Sequence, residues 1–256
     1  MLKKILSDNS PEYSNEDLLA LWTMTGGVAR YVEQLIDDGA FTRKSMLDSV
    51  FRIDSSFLDE GMSILVQEFG REYGIYFSIM SAIASGHTEY SQIKNDVGTD
   101  VGAHLAKLEN EYGLVRRRLP ILAAPNTRHA VYEIDDCFFR YWFRFVWKNM
   151  YLKELQRFDV MRELAEREYD VFSGHALEWY FRWKFIEEKK YTRIDAWWDR
   201  KGENEIDLVC DDEMSRRLDF FEVKCDPRHI DLAILEKKSA AFFCEEPPNG
   251  WQKGFV

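Results

Sequence analysis

The apolar pattern of this chain changes period once, at about Thr192, and that change divides what it can fold into. Before it, apolar residues recur every three or four positions, as on one face of a helix; after it they alternate, as on a strand. Three alternating runs follow, at 193–198, 204–209 and 218–224, separated by polar turns at Asp199-Arg200-Lys201-Gly202 and Asp211-Asp212-Glu213. A helical stretch with Ile230, Ala233, Ile234, Lys237 and Lys238 comes next. Helix, three strands, helix is the order of a small α/β domain, which the long helical region makes part of an α+β multi-domain chain.

The helical region has its own punctuation. Leu18, Leu19 and Trp22, then Val28, Tyr31, Val32, Leu35 and Ile36, then Met46, Leu47, Val50 and Phe51 form short apolar stripes, broken at Thr25-Gly26-Gly27 and Asp37-Asp38-Gly39. Residues 1–69 are therefore read as an all-α segment, small for a core of its own. Helices are expected at 75–85, 88–96 and 100–112, with Thr88 and Asp100 as N-caps. Two short strands, at 114–118 and 130–134, flank a loop with Pro120, Pro125 and Asn126. Three helices and then a two-stranded wing give residues 70–147 the order of a winged helix. Residues 137–190 are rich in Phe, Tyr and Trp; such rings can stack bases, but apolar positions on more than one face favour packing between two domains.

The chain has 256 residues, 46% of them apolar and 31% charged, with a net charge of −11. That balance excludes a disordered chain and a protein that coats nucleic acid through its overall field; any nucleic-acid contact must be local or metal-assisted. Cys137, Cys210, Cys225 and Cys244 are scattered, without a C-x-x-C pair, which suggests neither a zinc site nor a disulfide framework and fits the cytoplasm. His175 and His229 have no partners at metal-ligand spacing and read as structural or surface residues. No segment reaches the ~20 apolar residues of a membrane span, and the basic start Met1-Leu-Lys-Lys turns polar at once, so neither export nor a membrane partner is expected.

Chemistry concentrates in the alternating region. Glu205 and Asp207 fall on one strand face, with Ile206 and Leu208 opposite; Glu222 and Lys224 share a face of the next strand. A hairpin with these faces aligned brings Asp207, Glu222 and Lys224 together. Close carboxylates repel, so the natural third party is a hard divalent cation such as Mg²⁺ or Mn²⁺, with Lys224 orienting or deprotonating the attacking water and stabilising charge on a phosphate. The competing interpretation is a sheet face carrying ordinary salt bridges.

The run Glu205-Ile206-Asp207-Leu208-Val209, followed fifteen positions after Asp207 by Glu222-Val223-Lys224, resembles the core of the PD-(D/E)xK nuclease superfamily. That resemblance covers residues 148–256 and implies a nuclease-like fold in which Asp207, Glu222 and the Val223 carbonyl hold the metal. It also implies a catalytic acid on the preceding helix, matched by Glu178. Thr25-Gly26-Gly27-Val28-Ala29-Arg30-Tyr31 is similar to the G-G-x-P-x-Y segment in the helical lid of archaeal-type AAA ATPases, with Ala29 in place of proline. Bacterial relatives of those ATPases carry a winged helix and a nuclease-like domain of unassigned function. A G-x-x-x-x-G-K-[ST] phosphate loop is missing from all 256 residues, so no ATP site is expected here. The chain is read as the C-terminal part of such an ATPase, or the product of a shortened gene, with an ATPase domain or another protein as partner.

For DNA, the best basic patch is the proposed wing: Arg116, Arg117 and Arg118, with Arg128 and His129 across it. On the third helix Lys107, His104 and Asn110 are offset by Glu109 and Glu111. The wing either contacts phosphate or packs against a neighbouring domain or partner. The expected function is Mg²⁺-dependent cutting of DNA; the alternative is a non-catalytic module gripping nucleic acid or protein for an ATPase.

Overall fold

A computed structural model describes residues 1–124, 127, 129–199, 201–245 and 251–256. Helices come first: α1 (Leu2–Asn9), α2 (Asn15–Thr25), α3 (Ala29–Asp37), α4 (Arg43–Val50), α5 (Phe57–Phe69), α6 (Tyr73–Ala84), α7 (Tyr90–Val97) and α8 (Gly102–Asn110). Strands β1 (Val115–Arg118) and β2 (Val131–Ile134) form a two-stranded sheet, followed by α9 (Cys137–Tyr141), a π-helical turn (Trp142–Val146), α10 (Met150–Glu154) and α11 (Phe158–Glu188). Then come β3 (Arg193–Trp198), β4 (Glu205–Asp212), β5 (Arg217–Phe221), α12 (Leu232–Glu245) and β6 (Gln252–Phe255). Among the described residues no helix is long and apolar enough to cross a membrane.

The chain falls into two units, one of residues 1–117 and 131–173, the other of 118–130 and 174–256. This differs from the expected boundaries at 69 and 147. The physical reason in the first unit is that residues 1–69 do not close a core alone. Phe138 stacks on Tyr31 at 4.3 Å, and Trp142 lies edge-on to Phe77 while its Nε1 donates to the Phe57 carbonyl at 3.0 Å. The aromatic stretch thus joins the early helices and α6 into one apolar cluster.

Within this unit, α6, α7, α8 and the two short strands follow the order read from sequence. Both expected caps differ: Glu89, not Thr88, precedes α7 and exchanges a capping box with Gln92. The Thr88 carbonyl instead accepts the Tyr132 amide at 2.8 Å, and Glu89 bridges to Val131, so this backbone adds to the sheet rather than to the helix. Before α8 the N-cap is Val101, without a side-chain cap, and Asp100, expected there, lies one residue further out, its Oδ1 accepting the Gly102 amide at 3.1 Å.

In the second unit the sheet order is β3-β4-β5-β6, antiparallel except for the last pair. Leu235 and Phe242 of α12 cover one face with Trp197, Ile206, Val209, Leu218 and Phe220; on the other, Phe185 of α11 lies 4.8 Å from Phe221. Segment 118–130 belongs here. Ile121 enters the same cluster and donates its amide to the Ala196 carbonyl at 2.9 Å, while Trp198 Nε1 donates to the His129 carbonyl at 3.1 Å. Ile121 and the His129 carbonyl thus tie this segment to the four-stranded sheet.

Candidate functional site

Strand β4 is not regular where the sequence reading needs it most. Asp195 pairs with Val209 but Trp197 with Ile206, so Asp207 and Leu208 together face Ala196 alone, a β-bulge. The alternation expected through 205–209 therefore breaks. Ile206 and Val209, three apart, both enter the α12-side cluster, and Leu208, paired with Phe221, takes the opposite face. A bulge bends and twists its strand, and here it re-aims Asp207.

The β4–β5 ladder has Leu208 opposite Phe221 as its last pair, and β5 itself stops there. Glu222, Val223 and Lys224, expected inside the strand, lie just beyond it. At that divergence the Val223 amide turns to a side chain, donating to Asp207 Oδ2 at 2.8 Å. Lys224 Nζ donates to the same oxygen at 3.1 Å and to Glu222 Oε1 at 2.9 Å. The two carboxylates are nearly closed off from solvent, with Asp207 and Glu222 side chains 10% and 9% exposed, while Lys224 is 34% exposed. Sequence reasoning brought these three residues together, and the structure does so through the end of a strand pair rather than through a regular hairpin face.

Electrostatics follow from that enclosure. Burial raises the Asp207 carboxyl above the ordinary carboxylate range and the Glu178 charge adds to it, against the pull of the Val223 amide and Lys224. Burial acts to lower the Lys224 ammonium, but its bonds to Glu222 and Asp207 outweigh that and hold its pKa above the usual value. Glu178, on α11, thus reaches the site through its field, and its Oε1 lies 3.5 Å from His175 Nδ1.

One residue at the site was absent from the sequence assignment. Lys238 of α12 donates to Glu222 Oε2 at 3.4 Å. Its signal was its place: Leu235, Lys238 and Phe242 stand at i, i+3 and i+7, so a lysine sits on the buried face of an amphipathic helix.

The donor set is hard: the carboxylates of Asp207 and Glu222. Among the described residues no three His, Cys, Asp or Glu side chains form a cage, so a cation here would complete its shell with water and phosphate oxygen, as Mg²⁺ does. On those terms the residues fit a hard divalent ion.

The basic residues assigned to nucleic acid are engaged within the protein. Arg116 pairs with Glu133, and its Nε lies 3.8 Å from Asp135. Arg117 donates its amide to Glu109 at 3.2 Å, and its guanidinium charge acts on the Tyr132 hydroxyl. Arg118 grips Asp195 Oδ1 through Nε at 2.9 Å and Nη2 at 2.5 Å, while Arg182 reaches Asp195 Oδ2 at 3.2 Å. Lys107 lies 3.8 Å from Glu72 on an exposed surface. Arg128 lies outside the described residues.

Against known proteins, the chain is 27% identical over 231 residues to an uncharacterized protein of Methanocaldococcus jannaschii, an alignment covering 86% of this chain and 51% of the relative. The chain thus spans about half the length of the curated relative it matches. No solved structure matches. Residues 142–240, which include Glu178, Asp207, Glu222, Lys224 and Lys238, match DUF234, a family model described as archaeal and bacterial proteins of unknown function.

Proposed function

We propose that the second unit is a Mg²⁺- or Mn²⁺-dependent phosphodiester hydrolase of PD-(D/E)xK type acting on DNA, carried beside a winged-helix module in the C-terminal part of a larger ATPase-type protein. The observation that carries this reading is the bridge of Lys224 between Asp207 and Glu222, at 3.1 and 2.9 Å, with both carboxylates almost buried. An ammonium held between two enclosed carboxylates marks a place where positive charge is required.

In this reading Asp207, Glu222 and the Val223 carbonyl would hold the cation, which supplies Lewis-acid polarisation of a phosphate oxygen and an acidified water. Lys224 would orient that water and offset charge developing on the phosphate. Its raised pKa favours the cationic role over that of general base. Glu178 would act through its charge, keeping the site acidic enough to draw a cation inward.

Supercoiled plasmid and single-stranded DNA, incubated with the purified chain and millimolar Mg²⁺ or Mn²⁺, provide the test. Cutting that needs metal and disappears in Lys224→Ala supports the hydrolase. Metal uptake without cutting in any condition would leave the second reading, a non-catalytic module gripping a partner for an ATPase. In that reading the partner would not be gripped through Arg116 and Arg118, which are committed to Glu133 and Asp195 within the protein.

A further inference from the structure

Glu222 is held from two sides by two lysines of different elements. Lys224 Nζ takes Oε1 at 2.9 Å, and Lys238 Nζ, from α12, takes Oε2 at 3.4 Å. Their situations differ. Lys224 is shared with Asp207 at 3.1 Å, so it occupies the position between the carboxylates that a cation would need. Lys238 contacts Glu222 alone of the pair, from a helix fixed to the sheet by Leu235 and Phe242 on its own face. It is 24% exposed, and Glu222 is 9% exposed. Glu222 lies just past its strand end; its amide donates to the Val256 carbonyl at 3.2 Å, which fixes the backbone, while its carboxylate is held by the two lysines.

Resting on the metal-dependent reading above, we propose that Lys238 is a positioning residue for cation binding: it holds Glu222 by Oε2 so that Oε1 stays turned to the site when Lys224 gives up its place between the carboxylates. Partners that orient a metal ligand in this way commonly affect affinity by about 10–100-fold when removed. The proposal has a distinctive sign. Lys238 is a positive charge beside a cation site, so a lysine that only contributed its charge would repel the ion, and its removal would tighten binding. A lysine that positions Glu222 does the opposite.

The test is Mn²⁺ titration calorimetry of the metal-free full chain in wild type, Lys238→Met and Lys238→Arg, with melting curves in chelator for each. Methionine is unbranched like lysine, one atom shorter, and lacks the charge and the donor; arginine keeps both. The expected result is Mn²⁺ affinity lowered about tenfold or more in Lys238→Met and kept within about threefold of wild type in Lys238→Arg. Lys238→Gln carries the same test if the methionine variant does not fold. Affinity that rises or stays level in the neutral variants overturns the positioning role while leaving the metal site standing. Absence of Mn²⁺ uptake by wild type overturns both.

Discussion

The Val223 amide donates to Asp207 Oδ2 at 2.8 Å, and this single bond ties the bulged aspartate of β4 to the segment that has just left β5. Because the same oxygen also accepts Lys224 at 3.1 Å, Asp207 is fixed by backbone and by charge at once. That double hold makes its ionisation a measurable quantity.

Asp207 carries a carboxyl raised by burial and by Glu178. A carboxyl whose folded pKa lies above its unfolded value contributes stability below about pH 4 that is lost as pH rises through the folded value. Metal-free wild type should therefore lose this contribution on titration upward from about pH 4, and Asp207→Asn should lack that loss. At pH 7 the variant should be as stable as wild type or more so, where an ordinary substitution costs about 1 kcal/mol. Urea denaturation across pH in chelator checks this; a clearly destabilised Asp207→Asn would support the simple salt-bridge interpretation.

Lys224→Met should behave in the opposite way. It leaves Asp207 and Glu222 enclosed without the cation they share, which for a fully buried pair costs about 3–5 kcal/mol; with Lys224 a third exposed, about 1–3 kcal/mol is expected. Millimolar Mn²⁺ should restore much of the lost melting temperature by binding only the folded state. A variant that melts like wild type in chelator would show that the bridge contributes nothing.

ATP should neither bind saturably to residues 1–256 nor be hydrolysed above a buffer blank, since the sequence offers no phosphate loop. Calorimetry and a phosphate-release assay measure the two, and micromolar affinity would count against the ATPase-fragment interpretation.

The wing arginines give a test of where the basic patch points. If Arg116, Arg117 and Arg118 met phosphate, their triple alanine variant would lower the salt slope of duplex binding by up to about three units. With Arg116 on Glu133 and Arg118 on Asp195, the expected change is no more than about one unit, together with a lower melting temperature. A change near three units would return the wing to DNA.

Gly61 lies inside α5, where alanine would ordinarily gain up to about 1 kcal/mol. A Cβ there would stand 2.3 to 2.8 Å from the ring atoms of Trp142, a fully buried side chain hydrogen-bonded to the Phe57 carbonyl. Gly61→Ala should thus destabilise by about 1–3 kcal/mol by chemical denaturation, a reversal of sign caused by overpacking.

What the sequence determined alone was the kind of most elements and the chemistry on them. Periods of 3.6 and 2 follow from local backbone geometry, so the helices, the strand runs and the grouping of Asp207, Glu222 and Lys224 were legible residue by residue. Register is different, because it depends on which backbone groups meet across strands. The bulge at Asp207-Leu208, which sends Leu208 away from the face of Ile206, came only with the pairing of β3 and β4. Long-range packing was equally out of reach: Trp142 closing the core of the early helices, segment 118–130 joining the later sheet through Ile121, and Lys238 reaching Glu222 across sixteen positions. Each of these meetings is fixed by the burial of surfaces distant in the chain, which local spacing does not encode.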